Sequence, residues 1–412
     1  MKKRLAFGAC LTSIALLMAL APPAQAASHP NMAIQWNQVM LSTFAAANVP
    51  APNTNRLAGV VAAATFDAVN GIERRYTPVH VAPAGDPNAS PQAAAASATY
   101  TVLVFFFPSQ KSTLDAALAS SLASLDDESA DSIAAGVTWG DTVGASIAAW
   151  RAGDGFSATP PPYTFSTAPG QWQVTPGGPG GPPRFRTLAT TTPFALTSQS
   201  QFRPGGPPAL GSAQYLTDLA EVEAFGGLTS AVRTAAQTQT ARFWQLDTPP
   251  AVWDRVADAL AEANHLNLLK TARLLALVNI SLADAIIAVF DAKNAYNFWR
   301  PVTAIDLTDP SWLPLMVTPY FQEYPSAHSG VSSAAATVLA SYFGQDTVFT
   351  VTSAGLPGVE KTFTSFDEAL ADVANARVWA GFHFRSSCDV AVALGRQVAG
   401  YVESHLMLPA RD

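Results

Sequence analysis

Between Gly153 and Gly211 the chain carries runs that no helix can contain: Pro160-Pro161-Pro162, Gly177 to Pro183, and Gly205-Gly206-Pro207-Pro208. Proline lacks the amide donor and glycine favours the unfolded chain, so regular structure must stop on either side. The chain therefore divides into an N-terminal helical region with this crossing, residues 27–211, and a C-terminal region, 212–412. Trp172, Phe185, Phe194 and Phe202 punctuate the crossing. Disordered linkers are poor in aromatics, so the stretch is expected to be ordered, with its rings packed on the helices. Long ordered loops of this kind often line functional sites.

The flanking sequence is rich in alanine, 49% hydrophobic and only 13% charged. Alanine loses no side-chain entropy in a helix, and helices this apolar must be largely buried. The pattern predicts helices over 53–74, 112–125 and 128–151 in the first region. In the second it predicts them over 213–225, 230–244, 252–262, 266–299, 329–343 and 366–407. Residues 347–364 have a Val/Thr/Phe texture suited to a short hairpin or a loop. No internal repeat and no sustained alternation of apolar and polar residues is present, so the expected fold is all-α.

Lys2, Lys3 and Arg4, an apolar run from Leu5 to about Ala21, and Ala24-Gln25-Ala26 form a secretory signal pattern, with cleavage expected near Ala26. No later stretch is expected to reach the ~20 apolar residues of a spanning helix. The mature protein is therefore expected to be secreted or periplasmic, without stable membrane insertion. Its 20 basic residues would face 30 acidic ones, a formal −10, which disfavours nucleic acid as a partner. Cys388 would remain alone and reads as a small buried hydrophobe. His29, His80, His265 and His405 show no metal-ligand spacing.

Three clusters carry possible chemistry. In the first, Lys293 and Arg300 are seven residues apart, about 700° of helical turn, so both would lie on nearly one face about 10 Å apart. Pro301 disfavours a helical Arg300, which would end the helix and leave the guanidinium at an exposed mouth. In the second, Pro325-Ser326-Ala327-His328 leads into an alanine-rich helix. Free N–H groups and the helix dipole make such an entry a ready anion site, and His328 can move protons. In the third, Arg377 and His383 sit in an apolar segment read as one long helix, about 120° apart and about 9 Å along its axis. Taken singly, each cluster also reads as surface cations, a helix cap, or a core histidine.

Together, Lys-x6-Arg-Pro, Pro-Ser-Ala-His and Arg-x5-His, in this order, resemble the superfamily of vanadium-dependent haloperoxidases and type-2 phosphatidic acid phosphatases. The segments 283–291, 201–204 and 55–70 extend the resemblance to bacterial haloperoxidase-related proteins. The resemblance implies that Lys293, Arg300 and Arg377 neutralise the equatorial oxygens of vanadate or phosphate. It implies that Ser326 and the Ala327 N–H donate to the anion. His383 would be the axial group, a vanadium ligand or a phosphorylated nucleophile, and His328 the opposing acid/base. Fixed cations around a trigonal bipyramid suit either ion. Three departures stand out. Ala327 replaces a glycine, Ala376 replaces a serine, and Ser387 stands where an aspartate is expected. Asp389 is about 200° away on a helix, so Ser387 or a backbone carbonyl would have to orient His383.

The large region before the motifs favours the haloperoxidase branch, with a vanadate cofactor and hydrogen peroxide and halide as small-molecule substrates. An acid phosphatase cleaving a phosphate ester through phosphohistidine is the alternative. A non-catalytic oxyanion-binding protein is a third.

Overall fold

A computed structural model describes residues 31–410. The expected signal segment, Cys10 and His29 lie outside the described residues. The chain is all-α apart from one hairpin. The first bundle contains Met32–Ala46 (α1), Ala51–Glu73 (α2), Pro91–Phe106 (α3), Lys111–Ala123 (α4) and Ala130–Ala152 (α5). After the crossing come Ala213–Gly226 (α6), Ala235–Gln245 (α7), Pro249–Ala263 (α8), Leu268–Tyr296 (α9) and Pro301–Ile305 (α10). Ala327–Phe343 (α11), Phe349–Thr352 (β1), Glu360–Phe363 (β2), Phe366–Trp379 (α12) and Arg385–His405 (α13) complete it.

Local chemistry sets the helix starts. Ser90, Ser129, Ser212, Thr248 and Asn267 each accept a first-turn N–H with the side chain. The helix expected from residue 230 begins at Ala235, because Thr234 and Gln237 form a capping box there. The Val/Thr/Phe stretch is an antiparallel hairpin that pairs Phe349 with Phe363.

The centre is α9. It packs on α2 from the first bundle and on α11 and α13 from the second. One apolar cluster runs from Met32 to Met407 through both bundles. The sequence was expected to hold no later stretch long enough to span a membrane, and α9 corrects this. It has 29 residues and is apolar enough, but 94% of its most apolar stretch is buried inside the protein. It is the core helix of two bundles and needs no lipid to cover it. Behind it α13 crosses α11 so closely that a Cβ at Gly395 would stand 2.1 Å from the Gly330 carbonyl oxygen.

The crossing is ordered, and buried acids on the helices pin it. Asp284 on α9 accepts the N–H groups of Phe194, Ala195 and Leu196 at 2.6, 2.8 and 3.0 Å. Asp291 receives two bonds from Arg203 at 2.6 and 2.7 Å. Trp172 is fully buried and its backbone N–H donates to the Asn297 carbonyl at 2.7 Å, while the Trp299 backbone N–H donates to the Gly170 carbonyl at 3.0 Å. Arg151, stacked on Phe194, donates to the Thr192 carbonyl at 2.6 Å. The crossing is therefore clamped beside the C-terminal end of α9, where Lys293 lies.

Candidate oxyanion site

The end of α9 is fixed by Asn297, whose left-handed backbone (φ 46°) turns the chain away. Lys293 is in the last helical turn and Arg300 stands just before α10, so the turn, and no single helical face, brings them together. Arg300 is fully buried, contrary to the exposed mouth expected from Pro301. Pro301 does end the extended segment, but the loop before α11 and the loop between α12 and α13 cover the guanidinium. Its Nε donates to the Phe321 carbonyl at 2.9 Å and its Nη1 to that of Phe382 at 2.9 Å. Lys293 Nζ donates to the carbonyls of Gln322, Glu323 and Pro325 at 2.9, 2.8 and 2.6 Å. Three acceptors match the three donors of an ammonium. In this geometry Lys293 therefore acts on the site through its charge, with no N–H left over. Both cations lie over the Phe321 ring, 5.3 and 5.0 Å from its centroid.

Ser326 caps α11. Its hydroxyl oxygen accepts from the Ser329 N–H at 3.4 Å and the Ser329 hydroxyl at 3.0 Å, so its own proton is available to another acceptor. Ala327 begins the helix, where an N–H has no intrahelical partner. Its φ is not positive, so the replacement of glycine brings no strain. His328 Nε2 is buried without a hydrogen-bond partner among the described residues.

Arg377 and His383 are not on one long helix. The segment 366–407 breaks into α12 and α13 at Gly381, whose φ is +80° and where a Cβ would meet the Gly226 carbonyl oxygen at 2.5 Å. The break lifts His383 out of helical geometry and turns it back toward Arg300. His383 Nε2 is 3.1 Å from Arg300 Nη1, and Arg377 Nη1 donates to Gln245 Oε1 at 2.8 Å. Arg377 Nε and Arg300 Nη2 are buried without partners among the described residues.

Sequence reasoning missed the acid beside His383. It is Glu323, from the loop before α11. His383 Nδ1 lies 2.8 Å from Glu323 Oε1, the Phe384 N–H donates to the same oxygen at 3.1 Å, and the Ser387 hydroxyl donates to Oε2 at 2.7 Å. Ser387 thus supports the acid and neither it nor a backbone carbonyl orients the imidazole. A signal existed: Glu323 is the lone charge in the aromatic run Tyr320-Phe321-Gln322-Glu323-Tyr324.

The site is electropositive and buried. Lys293, Arg300, Arg377, His383 and Glu323 are at most 2% exposed. Burial is the first cause of every shift. It lowers Arg300 to about 9 and Arg377 to about 10, and Lys293 falls well below its ordinary value with Arg300 as the second cause. Burial and then Arg300 hold His383 well below the usual imidazole range, and burial and then Arg377 do the same for His328. Burial raises Glu323 to about 7, against the opposing pull of Ser387, Arg300 and Lys293. Three cations face one carboxylate, and the orphaned Arg300 Nη2 and Arg377 Nε are donors. Buried charge is retained only where it is compensated, so this donor set fits a tetrahedral oxyanion such as vanadate or phosphate.

A cavity of about 160 Å³ opens beside this cluster, lined by Ala327, His328, Arg377 and His383 together with Gln245 and Phe321. Ala51, Pro52 and Asn55 of α2 supply a further wall, so the first bundle takes part in the site. Lys293, Arg300 and Ser326 do not line it; they stand behind its walls.

The family described as the VCPO second helical-bundle domain matches residues 273–411. A vanadium chloroperoxidase from Curvularia inaequalis is 28% identical over 240 residues, 46% of this chain. That match covers only 39% of the relative's length. Among solved structures, a bacterial vanadium-dependent iodoperoxidase superposes with a TM-score of 0.80 at 26% identity, covering 92% of this chain and 97% of that one. The holo form of a bacterial vanadium-dependent chloroperoxidase has a TM-score of 0.68 at 17% identity, over 86% and 91% of the two chains, a likeness of fold. With the three motifs converging on one buried cationic site, the family match over residues 273–411 and these likenesses support placing the chain in the superfamily of the vanadium-dependent haloperoxidases.

Proposed function

We propose that this protein is an exported, vanadate-dependent haloperoxidase that uses hydrogen peroxide to oxidise a halide. The observation that carries the reading is the cavity. Its volume is about 160 Å³, and Ala51, Pro52 and Asn55 of α2 wall one side of it. Such a space suits peroxide and a halide better than the organic part of a phosphate ester. The leader pattern at residues 1–26 supports export.

Lys293, Arg300 and Arg377 would hold the oxyanion, with the Ser326 hydroxyl and the Ala327 N–H as neutral donors. His383 would be the side chain that bonds to the oxyanion's central atom. Glu323 keeps the His383 proton on Nδ1, which leaves the Nε2 lone pair to accept from Arg300 Nη1, 3.1 Å away, until an oxyanion takes that place. Bound vanadate would supply the Lewis-acid centre at which peroxide is activated. His328 lines the cavity and is neutral because burial and Arg377 disfavour its charged form; it would be the base that takes a proton from peroxide. The cations are fixed before any substrate arrives, so no reorganisation is needed as charge develops.

The test runs peroxide-dependent oxidation of iodide and bromide beside hydrolysis of p-nitrophenyl phosphate, with and without added vanadate. Vanadate should switch on halide oxidation. Ester hydrolysis that vanadate inhibits, without halide oxidation, would establish the phosphatase instead. Leader cleavage near Ala26 is read by mass spectrometry of the protein recovered outside the cytoplasm.

A further inference from the structure

The three cations of the site share one feature. Each is held by carbonyl oxygens, which orient a cation and add no charge. Lys293 Nζ has three backbone carbonyls, and Arg300 has those of Phe321 and Phe382. Arg377 differs in one respect. Its acceptor is a side chain, Gln245 Oε1, 2.8 Å from Nη1. A guanidinium only donates, so the amide must turn its oxygen to Arg377 and its orientation is fixed.

Arginines close by are paired with acids. Arg255 on α8 stands 2.6 Å from Asp247, and Arg385 at the start of α13 stands 2.6 Å from Glu221. Arg377 is 1% exposed and has no carboxylate partner among the described residues. The acid of the site, Glu323, lies 2.8 Å from His383 instead.

The place of Gln245 is itself built. It is the last residue of α7 and lines the cavity. Beside it the Trp244 indole, 3% exposed, donates to Asp372 at 2.7 Å, and Asp372 is on α12, the helix that carries Arg377. The Phe243 carbonyl accepts from the Ser353 hydroxyl at 2.8 Å, and a Cβ at Gly355 would stand 2.3 Å from Leu246 Cβ. The end of α7 is therefore fixed against α12 and the hairpin before any ligand binds.

We infer that Gln245 is the positioning residue of Arg377: its neutral carbonyl holds the guanidinium in the site and leaves the whole positive charge to act on the bound oxyanion. This rests on the oxyanion reading of that site. A carboxylate of the same shape would hold Arg377 equally well, but it would pair with the charge and repel the anion. Across about 6 Å at an effective dielectric constant of about 20, that repulsion changes affinity by well over tenfold.

Titration of the metal-free protein with inorganic phosphate and with vanadate, beside thermal melting without anion, tests the assignment. Gln245→Glu should weaken both anions about thirtyfold or more, and equally within about threefold, because the effect is one of charge. Its anion-free melting temperature should be no lower than that of wild type. Gln245→Met removes the acceptor without adding charge and should weaken both anions about fivefold. A lower melting temperature with unchanged affinity in Gln245→Glu marks a structural role and overturns the assignment, as do equal losses of affinity in the two variants. If Gln245→Glu does not fold, Gln245→Met decides, and wild-type affinity for both anions in that variant overturns the assignment. A wild type without saturable binding of either anion overturns the oxyanion reading along with it.

Discussion

Replacing Glu323 by Gln sets two effects of known sign against each other. Gln is nearly isosteric, so its carbonyl can still accept from His383 Nδ1 and the fold of the loop is kept. What disappears, in an assay at pH 8 where an acid raised to about 7 is ionised, is the negative charge. For any anion at the cationic cluster, loss of a neighbouring carboxylate relieves repulsion. At roughly 7 Å across the imidazole ring and an effective dielectric constant of about 20, that relief is about 2 kcal/mol. Phosphate, held by charge and hydrogen bonds alone, should therefore bind about tenfold or more tightly to Glu323→Gln. Vanadate also bonds to the imidazole nitrogen, and loss of the acid behind a ligating histidine weakens metal binding about 10–100-fold. The two terms nearly cancel for vanadate. The expected result is a shift of 10–100-fold in the ratio of the two dissociation constants, in favour of phosphate. Titration calorimetry of the metal-free protein with each anion reads it directly. Equal changes for vanadate and phosphate would show that Glu323 acts only as a charge and does not tune His383.

Other outcomes follow from the same geometry. His328→Ala should abolish halide oxidation, at least a hundredfold in kcat, while phosphate affinity stays within threefold. Gly381→Ala places a Cβ 2.5 Å from the Gly226 carbonyl oxygen at a φ of +80°, so it should lower stability by about 2 kcal/mol or more and weaken vanadate binding in the fraction that folds. Asp254 is fully buried with one partner, Asn279, and burial raises it to about 7. An acid raised in the folded state favours folding below its unfolded value near 4, and that advantage is lost as pH rises through 7. Asp254→Asn should therefore raise the melting temperature at pH 8, by on the order of 4 kcal/mol of stability, with the difference vanishing toward pH 4. Asp284→Ala removes three loop anchors and should expose 194–196 to rapid hydrogen exchange.

The helices were legible because their cause is local. Alanine content, apolar periodicity and Ser/Thr/Asn caps are all written in adjacent residues. The crossing was legible as ordered because its aromatics needed a core. The acids that hold it were not, since Asp284 is 90 residues from Phe194. The motif residues could be named from spacing, but their surroundings could not. Arg300 looked exposed because Pro301 ends a helix; two loops distant in sequence bury it. Arg377 and His383 looked helical because the apolar pattern runs through Gly381, and only the close approach of Gly226 reveals why glycine is there. Ser387 looked like a lost acid because the lone charge of Glu323 in its aromatic run does not reveal which imidazole it reaches, 60 residues away. Each miss concerns a contact between segments far apart in the chain.

The central claim is that three buried cations, one carboxylate and His383 form a single site for a tetrahedral oxyanion that bonds to the histidine. Equilibrium titration of metal-free wild type and His383→Ala with vanadate and with phosphate tests it most directly. The account predicts one site per chain for either anion in the wild type. In His383→Ala it predicts vanadate weakened at least tenfold more than phosphate. Absence of saturable binding of both anions, or equal weakening of the two, would contradict it.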